Sequence, residues 1–429
     1  MRWQLFEAVS LMGLLSLTSI VNTVGKKHPQ TAEKKHPQAV EKNHQPAKEP
    51  ERLDTAQMLQ QHGYRVEEHY AVTEDGYVLR LFRIPPLQRP VDMPPVLVQH
   101  GLLSSSDDWV VNGPAKALAY LLADTGFDVW LGNGRGNVYS RHHVRLNTKH
   151  SKFWKFSWHE QGVYDIPAVI DHILYTTGHR DLFYMGHSMG TTMFFVMTSE
   201  KPEYNKKIRA AFLMAPVAYM RHITSPLLKL FSEFEGPLTV LLEMVGVDEF
   251  EPTNEITKRA TDIFCSDRSV AQNVCNNAII LVAGYNGKEI NETLLPVYLA
   301  HSPAGASVRQ LDHYAQEIRS GGHFRQFDFG PAANRERYGS RTPPDYRLSA
   351  ATAPVALYYG NNDCLAREQD VKKAYKELKN PIGLFRVDMD EWSHLDFIWG
   401  IHARELVYEK IFEQMTRFLH HPFNKTRGS

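Results

Sequence analysis

Residues 182–190 read Leu182-Phe183-Tyr184-Met185-Gly186-His187-Ser188-Met189-Gly190. The first four form a short apolar run suited to a buried strand, and Thr191 to Ser199 is apolar enough for a buried helix. A serine in Gly-x-Ser-x-Gly at a strand-to-helix turn is held in a strained backbone with its hydroxyl exposed. Glycines two before and two after it let neighbouring elements approach without a Cβ clash. The helix N-terminus behind it offers N–H groups and a positive dipole end to an anion. These are the needs of a nucleophile that attacks a carbonyl.

Around this stretch, short apolar strands alternate with helical patterns. Val96–Gln99, Phe127–Leu131 and Ala210–Met214 read as buried strands, and Lys116–Ala123 and Asp165–Thr176 as helices. The folded part begins near residue 55. Its first strands, Arg65–Val72 and Tyr77–Ile84, form a hairpin through Thr73-Glu74-Asp75-Gly76. After Val217 the rhythm breaks, and residues 219–345 are helical and irregular. Alternation returns with the strand Val355–Tyr359, the helix Asp370–Leu378, the strand Leu384–Val387 and a last helix near Leu406–Leu419. The pattern predicts an α/β fold with a mostly parallel central sheet and helices on both faces. An inserted helical cap, 219–345, separates two parts of the core, 55–218 and 346–420.

A chain of 429 residues is long enough for one large α/β domain with an insertion, or for two ordinary domains. Formal net charge is zero, which gives no footing for a nucleic-acid partner. Cys265, Cys275 and Cys364 are too few for a disulfide scaffold, and no Cys-x-x-Cys pair suggests zinc. Residues 1–25 read as a secretory signal: Arg2 gives a positive start, and Leu11–Ile20 is apolar but too short and too broken by Ser and Thr to span a bilayer. In 26–54 the run Lys26-Lys27-His28-Pro29-Gln30 recurs as Lys34-Lys35-His36-Pro37-Gln38 and, degraded, around His44. This octad repeat has almost no large apolar residue and reads as a solvated linker or pro-segment.

An oxygen nucleophile needs a base, and the base needs an orienting acid. Asp363 follows the strand Val355–Tyr359, and His394 follows Leu384–Val387. Both therefore fall on loops at strand carboxyl ends, as Ser188 does. The order Ser, Asp, His is that of the α/β-hydrolase type. Asp363 is preferred as the acid because it ends its own strand; Asp388, Asp390 and Asp396 also lie near His394. The oxyanion of an acyl-transfer intermediate needs N–H donors. Met189, after the nucleophile, supplies one, and Leu102, in the loop after the third strand, is the candidate for the second. Gly132-x-Gly134-x-Gly136 lacks the spacing of a nucleotide loop and reads as a tight turn at the sheet edge of the active-site face.

Together these motifs resemble the acid lipase family, which includes gastric lipase and lysosomal acid lipase. The matching stretches are Gln99-His100-Gly101-Leu102-Leu103, Trp130 to Asn137, Gly186 to Gly190, His301-Ser302-Pro303-Ala304-Gly305 with Ser307, and His394-Leu395-Asp396-Phe397. The resemblance runs from about 55 to 420. It implies an α/β-hydrolase fold and hydrolysis of long-chain esters by Ser188, Asp363 and His394, with oxyanion donors at Leu102 and Met189. The substrates implied are chiefly acylglycerols, with sterol esters as a second class, taken at a lipid–water interface. The family often has Gln after the serine, and Met189 departs from that. The resemblance also implies a cap disulfide, for which Cys265 and Cys275 are candidates. Asn291-Glu292-Thr293 and Asn424-Lys425-Thr426 are N-glycan sequons. No cofactor, metal or obligate protein partner is required. The signal points to secretion, with lysosomal delivery as the alternative. Two other readings are a soluble-ester carboxylesterase and a non-catalytic lipid-binding or storage protein on the same fold. The apolar stretches 226–231 and 238–245 suggest a cap that covers Ser188 and moves aside at a lipid surface.

Overall fold

The computed structural model describes residues 52–87, 93–225, 232, 248–250, 283 and 286–419. The signal, nearly all of the octad-repeat segment, the apolar stretches 226–231 and 238–245, Cys265, Cys275 and Asn424 lie outside the described residues. Among those described, no helix is long and apolar enough to cross a membrane.

The described chain opens on helix α1 (Thr55–Gln61). Asp54 caps it: its carboxylate accepts the Gln57 N–H, and the Gln57 side chain accepts the Asp54 N–H in return. Strands β1 (Glu67–Val72) and β2 (Tyr77–Ile84) then form the antiparallel hairpin, with Val72 opposite Val78. There follow β3 (Val96–Gln99), α2 (Leu118–Asp124), β4 (Val129–Gly132), the short β5 (His142–His143), α3 (Ile166–Thr177), β6 (Leu182–His187), α4 (Met189–Glu200) and β7 (Ile208–Met214). A two-strand pair, β8 (Glu249–Phe250) with β9 (Ala306–Ser307), and the helices α5 (Leu295–His301), α6 (Val308–Arg319) and α7 (Pro331–Tyr338) come before alternation resumes. The chain closes with β10 (Val355–Tyr359), α8 (Glu368–Glu377), β11 (Pro381–Arg386), α9 (Asp396–Trp399) and α10 (Glu409–Leu419).

The main sheet has the order β1-β2-β4-β3-β6-β7-β10-β11, with β5 paired to β2. From β4 to β11 neighbours run parallel. Every residue of β3, β4, β6 and β10 is buried, as strands covered on both faces require. Outermost β1 instead alternates between half-buried and exposed residues along most of its length. Helix α4 is buried on all sides except at Glu200, which explains its apolar run without a polar stripe. The parallel register brings Gln99 beside Gly132 and Gly186, His187 beside Met214, and Tyr359 beside Arg386. The carboxyl ends of these strands thus form one rim. Because β2 pairs with β4, the glycine turn after β4 stands inside the sheet and not at its edge, contrary to the sequence reading.

That turn is held by Arg135, which is 1% exposed. Its Nε lies 2.7 Å from Asp165 Oδ1, and its Nη2 lies 2.8 Å from Asp75 Oδ1. The Arg135 backbone N–H donates to Asp165 Oδ2 at 2.9 Å, and the guanidinium sits 3.9 Å above the Tyr77 ring centre. One cation therefore joins the β1–β2 hairpin, the turn after β4 and the segment before α3. Burial raises the Asp165 carboxyl to about 6 even against the attraction of Arg135. Removing one partner of such a pair strands the other charge. Arg135→Met is expected to cost about 3–5 kcal/mol in urea unfolding. Adding Asp165→Asn should recover part of it, and a loss no larger than about 1 kcal/mol, the centre of the distribution for point mutations in general, would rule out the hub.

Candidate active site

Ser188 follows β6 directly and caps α4 with φ 52° and ψ −118°. Among the described residues the non-glycine positions with positive φ are Leu103, Ser188 and Ala215, which follow β3, β6 and β7. Strain of this kind collects where a site is held in a fixed geometry. The two flanking glycines are required by contact. A Cβ on Gly190 would lie 2.5 Å from the Gln99 carbonyl oxygen, and one on Gly186 would lie 2.9 Å from the Gly190 carbonyl carbon. The Ser188 N–H donates to the Met214 carbonyl at 3.1 Å, and the buried Tyr184 hydroxyl donates to the Gly190 carbonyl at 2.7 Å.

The structure brings Ser188, His394 and Asp363 together. His394 Nε2 lies 2.8 Å from Ser188 Oγ, and His394 Nδ1 lies 2.8 Å from Asp363 Oδ2. A carboxylate can only accept, so Nδ1 carries the proton and the Nε2 lone pair faces the serine hydroxyl. Asp363 is fully buried, and its other oxygen accepts the Leu365 and Ala366 N–H groups, each at 2.8 Å. Burial works to raise this carboxyl, but the His394 ring and the two N–H donors hold it below the usual carboxylate range. The loops of Asp363 and His394 are fastened to each other: Asn362 N–H donates to the Trp392 carbonyl at 3.0 Å, and a Cβ on Gly360 would lie 2.3 Å from that same oxygen. The three other acids do not reach the imidazole Nδ1. Asp390 pairs with Arg386, Asp388 is exposed, and Asp396 accepts the Ser393 N–H at 2.7 Å.

The loop of Leu102 lies against Ser188. A Cβ on Gly101 would lie 3.1 Å from Ser188 Cβ. His100 holds this loop, and its tautomer follows from its partners. Nδ1–H donates to the Gly101 carbonyl at 2.7 Å, so Nε2 accepts from Gly134 N–H at 3.0 Å and from the Asn137 amide at 3.2 Å. The chain from β9's side closes on the same loop. Leu103's carbonyl accepts the Ala304 N–H at 2.6 Å and the Ser302 hydroxyl at 3.4 Å, while His301 Nδ1 meets the buried Asp107 at 2.9 Å. Met189, the other expected oxyanion donor, is buried, and its sulfur accepts from the Gln310 amide at 3.3 Å. Sequence reasoning missed the structural parts played by His100, His187, Asp107 and Gln310. Only the position of each histidine inside a glycine motif was a signal.

His187 Nε2–H donates to the His394 carbonyl at 2.9 Å. Burial, then the nearby His394 ring, push the His187 imidazole down to about 3; burial pushes His100 down to about 4. In the unfolded chain each binds a proton below roughly 6.5. The stability each contributes is thus complete above pH 6.5 and is lost as pH falls toward those folded values. At pH 5, calorimetric unfolding of His187→Gln should take up about one proton fewer than the wild type, read from buffers of different ionisation enthalpy. Equal uptake would show that His187 is not held neutral.

The family model "Partial alpha/beta-hydrolase lipase region" matches residues 55–113, and "alpha/beta hydrolase fold" matches 94–237. Lipase 3 of Drosophila melanogaster is 44% identical over 368 residues, covering 85% of this chain and 93% of the relative. Lipase lipl-1 of Caenorhabditis elegans is 39% identical over 84% of this chain and 91% of its own length. Gastric triacylglycerol lipase of Rattus norvegicus is 38% identical over 94% of this chain and 99% of its own length. With identity of this level across nearly the whole of each relative, the chain is a lipase and belongs to the acid lipase family of α/β-hydrolases.

Proposed function

We propose that this lipase hydrolyses long-chain acylglycerols at a lipid–water interface through an acyl-enzyme on Ser188. The observation that carries the reading is the pair of hydrogen bonds that joins Ser188 Oγ to His394 Nε2 and His394 Nδ1 to Asp363 Oδ2, both 2.8 Å, on the strand rim of a chain from a lipase family. The likeness to gastric triacylglycerol lipases supports the substrate class.

Ser188 loses its proton to His394 Nε2 as Oγ bonds to the ester carbonyl carbon. Asp363 keeps the ring in the tautomer that can accept this proton and stabilises the imidazolium that results. Negative charge develops on the carbonyl oxygen, and the backbone N–H groups of Met189 and Leu102 are its donors, aided by the positive end of α4. Collapse of the intermediate breaks the bond to the alcohol, which leaves with the proton from His394. Water, deprotonated by the same imidazole, then frees the fatty acid and restores Ser188.

Ser188→Ala is expected to lower kcat on emulsified triolein by about a millionfold with an unchanged melting temperature. A fluorophosphonate probe should label the wild type at Ser188 and leave the variant unlabelled. Asp363→Asn should cost about ten thousandfold. If Asp388→Asn or Asp390→Asn were the crippling change instead, Asp363 would not be the acid.

The reading includes entry into the secretory route through residues 1–25, a cap disulfide between Cys265 and Cys275, and an N-glycan at Asn291. Asn291 sits in a partly exposed turn before α5, where its side-chain oxygen accepts the Thr293 N–H at 3.1 Å. In secreted material, glycosidase treatment should increase the gel mobility of the wild type. The shift should be smaller in Asn291→Gln, and an undiminished one would exclude this site.

A further inference from the structure

We infer that His187, the residue before the nucleophile, is a positioning residue that locks the base to the serine's own strand. The inference rests on the assignment of Ser188 and His394 as nucleophile and base.

Three observations meet at this side chain. His187 ends β6 and is 3% exposed, so it has no freedom to turn aside. Its Nε2–H donates to the backbone carbonyl of His394 at 2.9 Å, with the two imidazole centres 4.9 Å apart. Its Nδ1 faces the oxyanion loop so closely that a Cβ on Gly101 would lie 3.3 Å from it. One ring thus touches the parts that must stay in mutual register: the strand that carries Ser188, the loop that carries His394 and the loop that carries Leu102.

The chemistry favours histidine here. The His394 carbonyl needs a donor, and a backbone donor is not available from β6, whose strand hydrogen bonds run within the sheet. The other backbone tie of the base, its N–H, goes to Ala283 at 3.3 Å, in the segment between β7 and β10. The Asn362–Trp392 bond ties the base loop to the loop after β10, and His187 ties it to β6, the strand that carries Ser188. The distance from Ser188 Oγ to His394 Nε2 depends on where the His394 backbone sits. A shift of about 1 Å in a reacting group can cost a hundredfold in rate. A neutral ring suits the position, because a second cation next to His394 would oppose the imidazolium formed during the reaction.

The test uses the full-length chain and p-nitrophenyl butyrate, a soluble ester. His187→Leu keeps bulk and removes the donor; His187→Gln returns an amide N–H near the place of Nε2. The expected result is a kcat about a hundredfold lower in the leucine variant with KM little changed, and recovery of most of that loss in the glutamine variant. The rate of fluorophosphonate labelling should fall and recover in step. Rates are taken per folded molecule, well below each melting temperature. A leucine variant with wild-type kcat, or a glutamine variant no better than leucine, overturns the proposal. If the leucine variant does not fold, glutamine is compared with His187→Asn, whose amide falls short of the carbonyl, and equal rates overturn it. Ser188→Ala is run in parallel. Turnover by that variant would defeat the functional reading itself, whereas an inactive Ser188→Ala beside an unimpaired His187→Leu would defeat only the positioning role.

Discussion

At Ser188 an L-residue is held at φ 52° and ψ −118°, a conformation that costs of order 1–3 kcal/mol. The surroundings keep it there by leaving no room to relax. The Gln99 carbonyl presses on Gly190 from β3, and Gly190 presses on Gly186 across the turn. Thr191 supports it from behind: its hydroxyl donates to the Ser188 carbonyl at 2.6 Å and accepts the Val217 N–H at 2.8 Å. This ties the turn after β6 to the turn after β7, where Ala215 is also at positive φ. The fully enclosed α4 then anchors the strained residue to the apolar core, whose burial outweighs the local cost.

The strands and the nucleophile turn were legible because their signals are local. Apolar runs marked β3, β6, β7 and β10 to within a residue or two, and Gly-x-Ser-x-Gly fixed the turn. The choice of acid was not settled by local signals, since four aspartates were near enough along the chain. What distinguishes them in space is a contact between loops that follow different strands: Asp363 reaches His394 Nδ1, while Asp396 turns back onto Ser393. The glycine turn after β4 was placed at the sheet edge because its pattern shows a turn but not its neighbours. Pairing of β2 with β4 puts it inside, where Gly134 can serve His100.

The buried polar residues around the site share one property that no periodicity reveals. His100 bonds backbone groups through both ring nitrogens, and His187 bonds one through Nε2, so both hold loops in place. Arg135 does the same with charge, because two carboxylates offset its burial. A histidine or arginine within a glycine motif looks like chemistry in the sequence. Here it is buried and hydrogen-bonded to the turns and loops around it.

The carbonyl of Leu103 accepts from both Ala304 and Ser302, although some two hundred residues separate them. The insertion after β7 is therefore not an independent module. Its returning end is stitched to the loop that lies against Ser188. A chimaera that exchanges insertions between relatives keeps this stitch only if its second splice falls before His301, or if residues 301–305 and 102–107 travel together from one parent. The backbone bond at Ala304 tolerates any non-proline side chain, whereas the His301–Asp107 pair ties the identities of those two residues together.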